Sequence, residues 1–195
     1  MLRSEYSKTT WWRPISFIEI AMKEISLKNL KEYLKQRSKE ELIGEISDLF
    51  TKYEYVKDYY QVKLGQSDGQ VLQKYKDIIE DEFFPTRGFG KARLSVARKA
   101  ISDYQKMSPT SEGLADIMIF FVEMGVKFTN AYGDINEPFY NSMESMYKRA
   151  IKFITDHGIQ DMFKTRCIKI VEDTVNIGWG FHDGLSNLYY ECFET

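Results

Sequence analysis

The sequence predicts an all-α fold of seven or eight helices, and three observations carry the prediction. From Ser26 to the C-terminus, apolar residues recur at steps of three and four in one segment after another. These segments open on Ser, Thr or Asn and close at Gly or Pro, the residue types that cap and stop helices. No stretch alternates with period two for long enough to compete as a strand.

The elements follow in order. Ser26 is the candidate N-cap of a short helix with Leu27, Leu30 and Leu34 on one face. After Ser38, the residues Leu42, Ile46, Leu49, Tyr53, Val56 and Tyr60 share one stripe, which predicts a single long helix opened by a Ser38/Glu41 capping box. The loop Gly65-Gln66-Ser67-Asp68-Gly69 interrupts it, and Leu72, Tyr75 and Ile79 restart the pattern until Pro85 forbids continuation. Leu94, Ala97, Ile101 and Tyr104 define a fourth helix. Ser108-Pro109 reads as a cap with proline at the first helical position, opening a fifth helix that carries Leu114, Ile117, Phe121, Met124 and Phe128 to Gly133. Within it, Ile117 to Val122 is apolar on every side, which predicts the central, most buried helix. Asn136 caps a sixth, with Phe139, Met143, Met146, Ala150 and Phe153 inside and Gly158 after its end. A seventh carries Phe163, Cys167, Ile170 and Thr174, and a short eighth Leu185, Leu188 and Cys192.

Such a succession suits an irregular stack of antiparallel helical hairpins, similar to armadillo or HEAT arrays, or else a globular bundle. The unit Leu27 to Tyr60 echoes Ala97 to Phe128 in pattern but not in residues. A chain of 195 residues, 43% hydrophobic and without a Pro/Gly/Ser-rich linker, is expected to form one domain over 22–195. Residues 1–21, with Trp11-Trp12-Arg13-Pro14, form a separate arm without the apolar core and cleavage site of a secretory signal; Met22 is an alternative start. The longest apolar run falls short of the ~18 residues that span a membrane. Cys167 and Cys192 sit on inward stripes, which predicts buried thiols and a reducing, cytoplasmic home. A net charge of −2 offers no general attraction to nucleic acid or anionic membrane.

Three segments hold more polar and glycine content than capping explains. In Arg87-Gly88-Phe89-Gly90-Lys91-Ala92-Arg93, the cations Lys91 and Arg93 oppose the dipole of the helix they precede, so each needs an anionic partner. That partner is either one of the protein's own acids (Asp116, Glu123, Asp134, Glu137, Glu144) or an external phosphate or carboxylate. The segment is not a P-loop, since the upstream Gly and the Ser/Thr after Lys are missing. In Tyr132 to Asn141, Asn136 and Glu137 are what a helix start wants, so the segment reads first as a well-capped loop between the fifth and sixth helices, with Asp134, Tyr140, Asn141 and Glu144 left as the side chains that would line a groove. In Asn176 to Gly184, three glycines around Trp179 let backbone come close to another helix or a ligand; Trp179 reads as a core plug and His182, beside Asp183, as a hydrogen-bonded turn residue. Adjacent helical residues do not face each other, so no triad follows. His157, the other histidine, sits at a helix C-terminus, and no spacing predicts a metal or cofactor site. The candidate binding residues are therefore Lys91, Arg93, Tyr132, Asp134, Glu137, Tyr140, Asn141, Trp179, His182 and Asp183.

The phrases Gly90-Lys91-Ala92-Arg93-Leu94-Ser95, Tyr132-Gly133-Asp134-Ile135, Phe139 to Met146 and Asn176 to Asp183 resemble those of a small bacterial family catalogued as domain of unknown function 6155. The resemblance covers about Met22 to Tyr190 and leaves the arm outside. It implies a bacterial cytoplasmic protein and carries over no catalytic residue.

Stacked helices with three unusual segments favour a binding or scaffold module for a protein or peptide. The alternative is an anion-binding protein, or an enzyme acting on a phosphate- or carboxylate-bearing substrate, in which Lys91 and Arg93 hold the charge and His182 moves protons. Nucleic-acid binding through Arg87, Lys91, Arg93, Arg98, Lys99 and Lys106 is disfavoured because these positions wrap around the fourth helix.

Overall fold

The computed structural model describes residues 25–65 and 68–193, and their regular elements are all helices. The 1–21 arm and the Met22 start lie outside the described residues. In chain order the helices are α1 (Leu27–Lys35), α2 (Lys39–Lys52), α3 (Glu54–Lys63), α4 (Asp68–Phe83), α5 (Leu94–Gln105), α6 (Ser111–Tyr132), α7 (Glu137–Asp156), α8 (Gln160–Glu172) and α9 (Phe181–Phe193). The chain divides after Asp48 into two compact units.

In the first unit, reciprocal capping boxes start both helices. Ser26 and Asn29 exchange bonds at α1. At α2 the Ser38 N–H donates to Glu41 at 2.8 Å and the Glu41 N–H to Ser38 Oγ at 3.1 Å. Neither α1 nor α2 buries a residue. Ile46 and Leu49, on the cleanest apolar stripe in the sequence, are 44% and 46% exposed.

That stripe was expected to continue as one helix to Tyr60, and it does not. Tyr53 adopts an extended conformation (φ −123°, ψ 116°) while its N–H still bonds Leu49 O, so the chain turns and restarts as α3. The break re-aims the following residues: Asp58 and Val62 become buried, and Asp58 receives Lys74 of α4 at 2.8 Å.

In the second unit α6 is the axis. Ile117, Met118, Ile119, Phe121 and Val122 have no exposed surface, as the all-round apolar run predicts. Helices α4, α5, α7 and α8 all pack on α6. In a solenoid each repeat touches only its neighbours, so of the two expected arrangements this unit has that of a bundle. Gly125 sets the closest approach: a Cβ there would lie 2.2 Å from Met143 Sδ on α7.

The cap of α6 is Thr110, not Ser108. Ser108 takes a left-handed turn (φ 55°), which moves the helix start two residues on. Thr110 Oγ1 then accepts from the Gly113 N–H at 3.1 Å and donates to Asp68 at 2.8 Å. Asp68 also receives the buried Tyr104 hydroxyl at 2.6 Å, which ties the starts of α4 and α6 to the end of α5.

Candidate functional site

The segment before α5 folds back onto the end of α4. Gly90 makes this possible, since a Cβ there would sit 1.9 Å from the Phe83 carbonyl oxygen. The Ala92 N–H bonds Glu82 O at 2.7 Å, and this delivers Arg93 to the Glu82 carboxylate. Arg93 grips it with two side-chain bonds, Nε to Oε2 at 2.9 Å and Nη2 to Oε1 at 2.6 Å, and adds its own backbone N–H at 3.3 Å. Glu82 is 7% exposed, and hydrogen bonding by Arg93 holds its carboxyl below the usual range against the opposing effect of burial.

The anion that Arg93 requires is therefore internal. It is Glu82, which precedes Arg93, and not one of the acids on later helices that the sequence suggested. Lys91 is exposed and lines a hollow of about 230 Å³ with Asp81, Arg87 and Phe89.

The other two segments meet at Asp134. Gly133 (φ 91°) ends α6 and turns the chain so that the Asp134 carboxylate receives Tyr140 Oη at 2.5 Å and Trp179 Nε1 at 2.7 Å. Tyr140 Oη lies 2.7 Å from Thr129 Oγ1 and accepts the Ile135 N–H at 3.3 Å; Thr129 donates in turn to Gly133 O at 3.1 Å. Both Tyr140 and Thr129 are buried. The bonds from Tyr140 and Trp179 lower the Asp134 pKa, and burial, then Asp134, raises that of Tyr140. The ring of Phe181, the first residue of α9, lies 5.0 Å from that of Tyr140 and closes the node from below.

Trp179 is not the core plug that its glycine neighbours suggested. It is 59% exposed and holds a left-handed backbone (φ 64°), a conformation costing a non-glycine residue ~1–2 kcal/mol. The indole N–H reaches Asp134 while the ring faces outward. Tyr132, two residues before Asp134, is 51% exposed and stacks on Phe84 at 6.1 Å. Phe89, 83% exposed, meets Tyr132 edge-on at 6.5 Å.

The three predicted segments thus join in one chain of contacts, Phe89 to Tyr132 and Asp134 to Trp179. The link runs through aromatic rings and one carboxylate, not through Lys91 and Arg93. Glu137 and Asn141 are exposed on the first turn and a half of α7. His182 turns to the end of α8, its Nδ1 3.1 Å from Thr174 Oγ1 and 3.2 Å from Val171 O, and Asp183 is exposed beside it. His182 shares no bond or hollow with Lys91 or Arg93 among the described residues.

Sequence reasoning missed Glu82, Thr129 and Phe84. Only Thr129 left a signal, one turn before the Gly133 stop. Among the described residues no three His, Cys, Asp or Glu side chains are placed to share a metal ion, and no helix is long and apolar enough to cross a membrane.

Comparison with known proteins gives a single finding. The model of a family of unknown function (DUF6155) matches residues 25–194. No curated protein and no solved structure matches the chain.

Proposed function

We propose that this chain, which belongs to the family of unknown function DUF6155, is a protein- or peptide-binding module that recognises its partner with Phe89, Tyr132 and Trp179. The observation behind this reading is that three aromatic side chains from three separate segments each present half or more of their surface to solvent, while Phe128, against which Tyr132 packs, and Tyr140, which braces the Asp134 that holds Trp179, are buried. Aromatic anchors on a rigid base lose little entropy when a partner covers them, and Trp and Tyr dominate binding hot spots. The base here is braced by the bonds of Asp134 to Tyr140 and Trp179 and of Tyr140 to Thr129 and the Ile135 N–H.

The surroundings favour a partner segment with acidic residues beside an apolar anchor. Arg87 and Lys91 border Phe89, and Lys127 Nζ stands 4.7 Å over the Phe84 ring that backs Tyr132. The anion or enzyme reading through Lys91, Arg93 and His182 draws less support, since Glu82 already takes the charge of Arg93 and His182 is engaged with α8. Two free thiols, one of them fully buried, suit the bacterial cytoplasm as the compartment.

Selection of a displayed peptide library on the immobilised full chain tests the proposal. Peptides pairing an aromatic or aliphatic anchor with Asp or Glu should be enriched on the wild type and lost on Phe89→Ala/Tyr132→Ala. Equal enrichment on both would remove this surface as the recognition site, and no enrichment on the wild type would remove the binding reading itself.

A further inference from the structure

Among the described residues, half-buried lysines and arginines have carboxylate partners, with one exception. Arg37 has Glu41, Lys57 has Glu54, Lys74 has Asp58, Lys76 has Asp116, and Arg166 has Asp116 and Glu123. Arg98 on α5 has none among the described residues. It donates from Nε to Ser142 Oγ at 3.0 Å and from Nη2 to Ser142 O at 2.7 Å, and its guanidinium carbon lies 5.6 Å over the ring of the fully buried Phe121. Three of its five N–H donors are left over.

A second arginine stands beside it. Arg149 on α7 bonds Gln105 Oε1 on α5 at 2.6 Å, and it too has no carboxylate among the described residues. Arg98 reaches from α5 to residue 142, and Arg149 reaches from α7 to residue 105, so both contacts span 44 positions, and α5 and α7, each packed on α6, run in the same direction with these side chains bridging them. The two arginines are rungs across the groove that α5 and α7 leave over α6, seven residues or ~10 Å apart along the helices, with the buried Phe121 ring beneath Arg98. Ser145, exposed, falls between Ser142 and Arg149 on the same face of α7. Burial, and then the like charge of Arg149, lowers the Arg98 pKa, the reverse of what a paired arginine shows.

We propose that the groove between α5 and α7 binds a diphosphate group, one phosphate held by Arg98 and the other by Arg149. A guanidinium fork matches a phosphate edge with two parallel bonds. Two forks one groove apart call for an anion whose charge sits on two centres, and a ligand there removes the repulsion between the arginines.

Thermal melts of the full chain with 10 mM inorganic pyrophosphate, against sodium chloride of equal ionic strength, test this. At about ten times its dissociation constant, pyrophosphate should raise the midpoint by ~3–5 °C, and orthophosphate by less. Arg149→Met, at an exposed position that leaves the fold intact, should abolish the rise, and Arg98→Lys, which keeps the charge and loses the fork, should reduce it. Adenosine diphosphate in place of pyrophosphate distinguishes the source: an equal rise means that the phosphate chain alone is read, and a larger one that a nucleoside is carried with it. No rise with pyrophosphate in the wild type, or the same rise in Arg149→Met, overturns the proposal.

Discussion

Phe121→Ala probes the packing at its centre. Phe121 is fully buried on α6, its ring edge-on to Phe83 of α4 at 6.1 Å and beneath the Arg98 guanidinium. Removing the ring forfeits ~1.5–3 kcal/mol of apolar transfer, ~0.5–1.5 kcal/mol of aromatic pairing and a remainder from the cavity. The total of ~3–5 kcal/mol agrees with measured costs for buried Phe→Ala changes. For a chain of this size that lowers the melting midpoint by roughly 10 °C. Phe121→Leu keeps most of the volume and should cost less than half as much, which separates cavity from ring. Denaturant melts of the three proteins measure both differences. If Phe121→Ala melts within a few tenths of a kcal/mol of the wild type, α6 is not the axis of the unit and the packing order is wrong.

The Glu82 carboxyl is held low in the folded state, so its bond to Arg93 contributes stability above the ordinary carboxyl range, which is lost as pH falls through the folded pKa. Glu82→Gln should therefore cost ~1–2 kcal/mol at pH 7, less than a fully buried pair because the Arg93 side chain is 55% exposed, and the gap to wild type should close towards pH 3 in urea melts. Burial pushes the Cys167 thiol up to about 12. Iodoacetamide at pH 8 should accordingly label Cys192 and leave Cys167 unmodified until the chain unfolds, as read by peptide mass mapping. Gly90→Ala forces a Cβ onto the Phe83 carbonyl and should destabilise by ~1–3 kcal/mol. If a melt shows it neutral, the loop before α5 does not fold back on α4.

Helices were legible where a stripe and a cap agree. The central helix followed from Ile117 to Val122 because a segment apolar on every side has nowhere to go but inside. The break at Tyr53 was not legible, because the period of three and four runs through it unbroken from Leu42 to Tyr60. The break coincides with contacts between elements, the seating of Asp58 on Lys74 and the burial of Val62, which no local propensity encodes. Ser108-Pro109 misled for a related reason. The dipeptide is a good start signal, yet Thr110 makes a better cap because Asp68, over forty residues earlier, receives its hydroxyl.

At the candidate site the same boundary between local and distant causes decides what could be read. Of the two cations ahead of α5, Arg93 has the carboxylate partner that the dipole argument calls for, while Lys91 is exposed and makes no ion pair among the described residues. The identity of the anion depends on Gly90 letting the loop lie against Phe83, so Glu82 enters only once the chain is folded. Glycines around Trp179 suggested a close backbone approach, yet at Gly178 and Gly180 an added Cβ would meet nothing within 4 Å. The contact is made instead by the indole N–H to Asp134, and it leaves the ring outside at the expense of a left-handed backbone. A core tryptophan would gain burial in exchange for such strain, and this one, 59% exposed, does not. Strain of this kind clusters at functional sites, which is consistent with the proposed recognition role of Trp179, and here it is Asp134 that holds the indole in position.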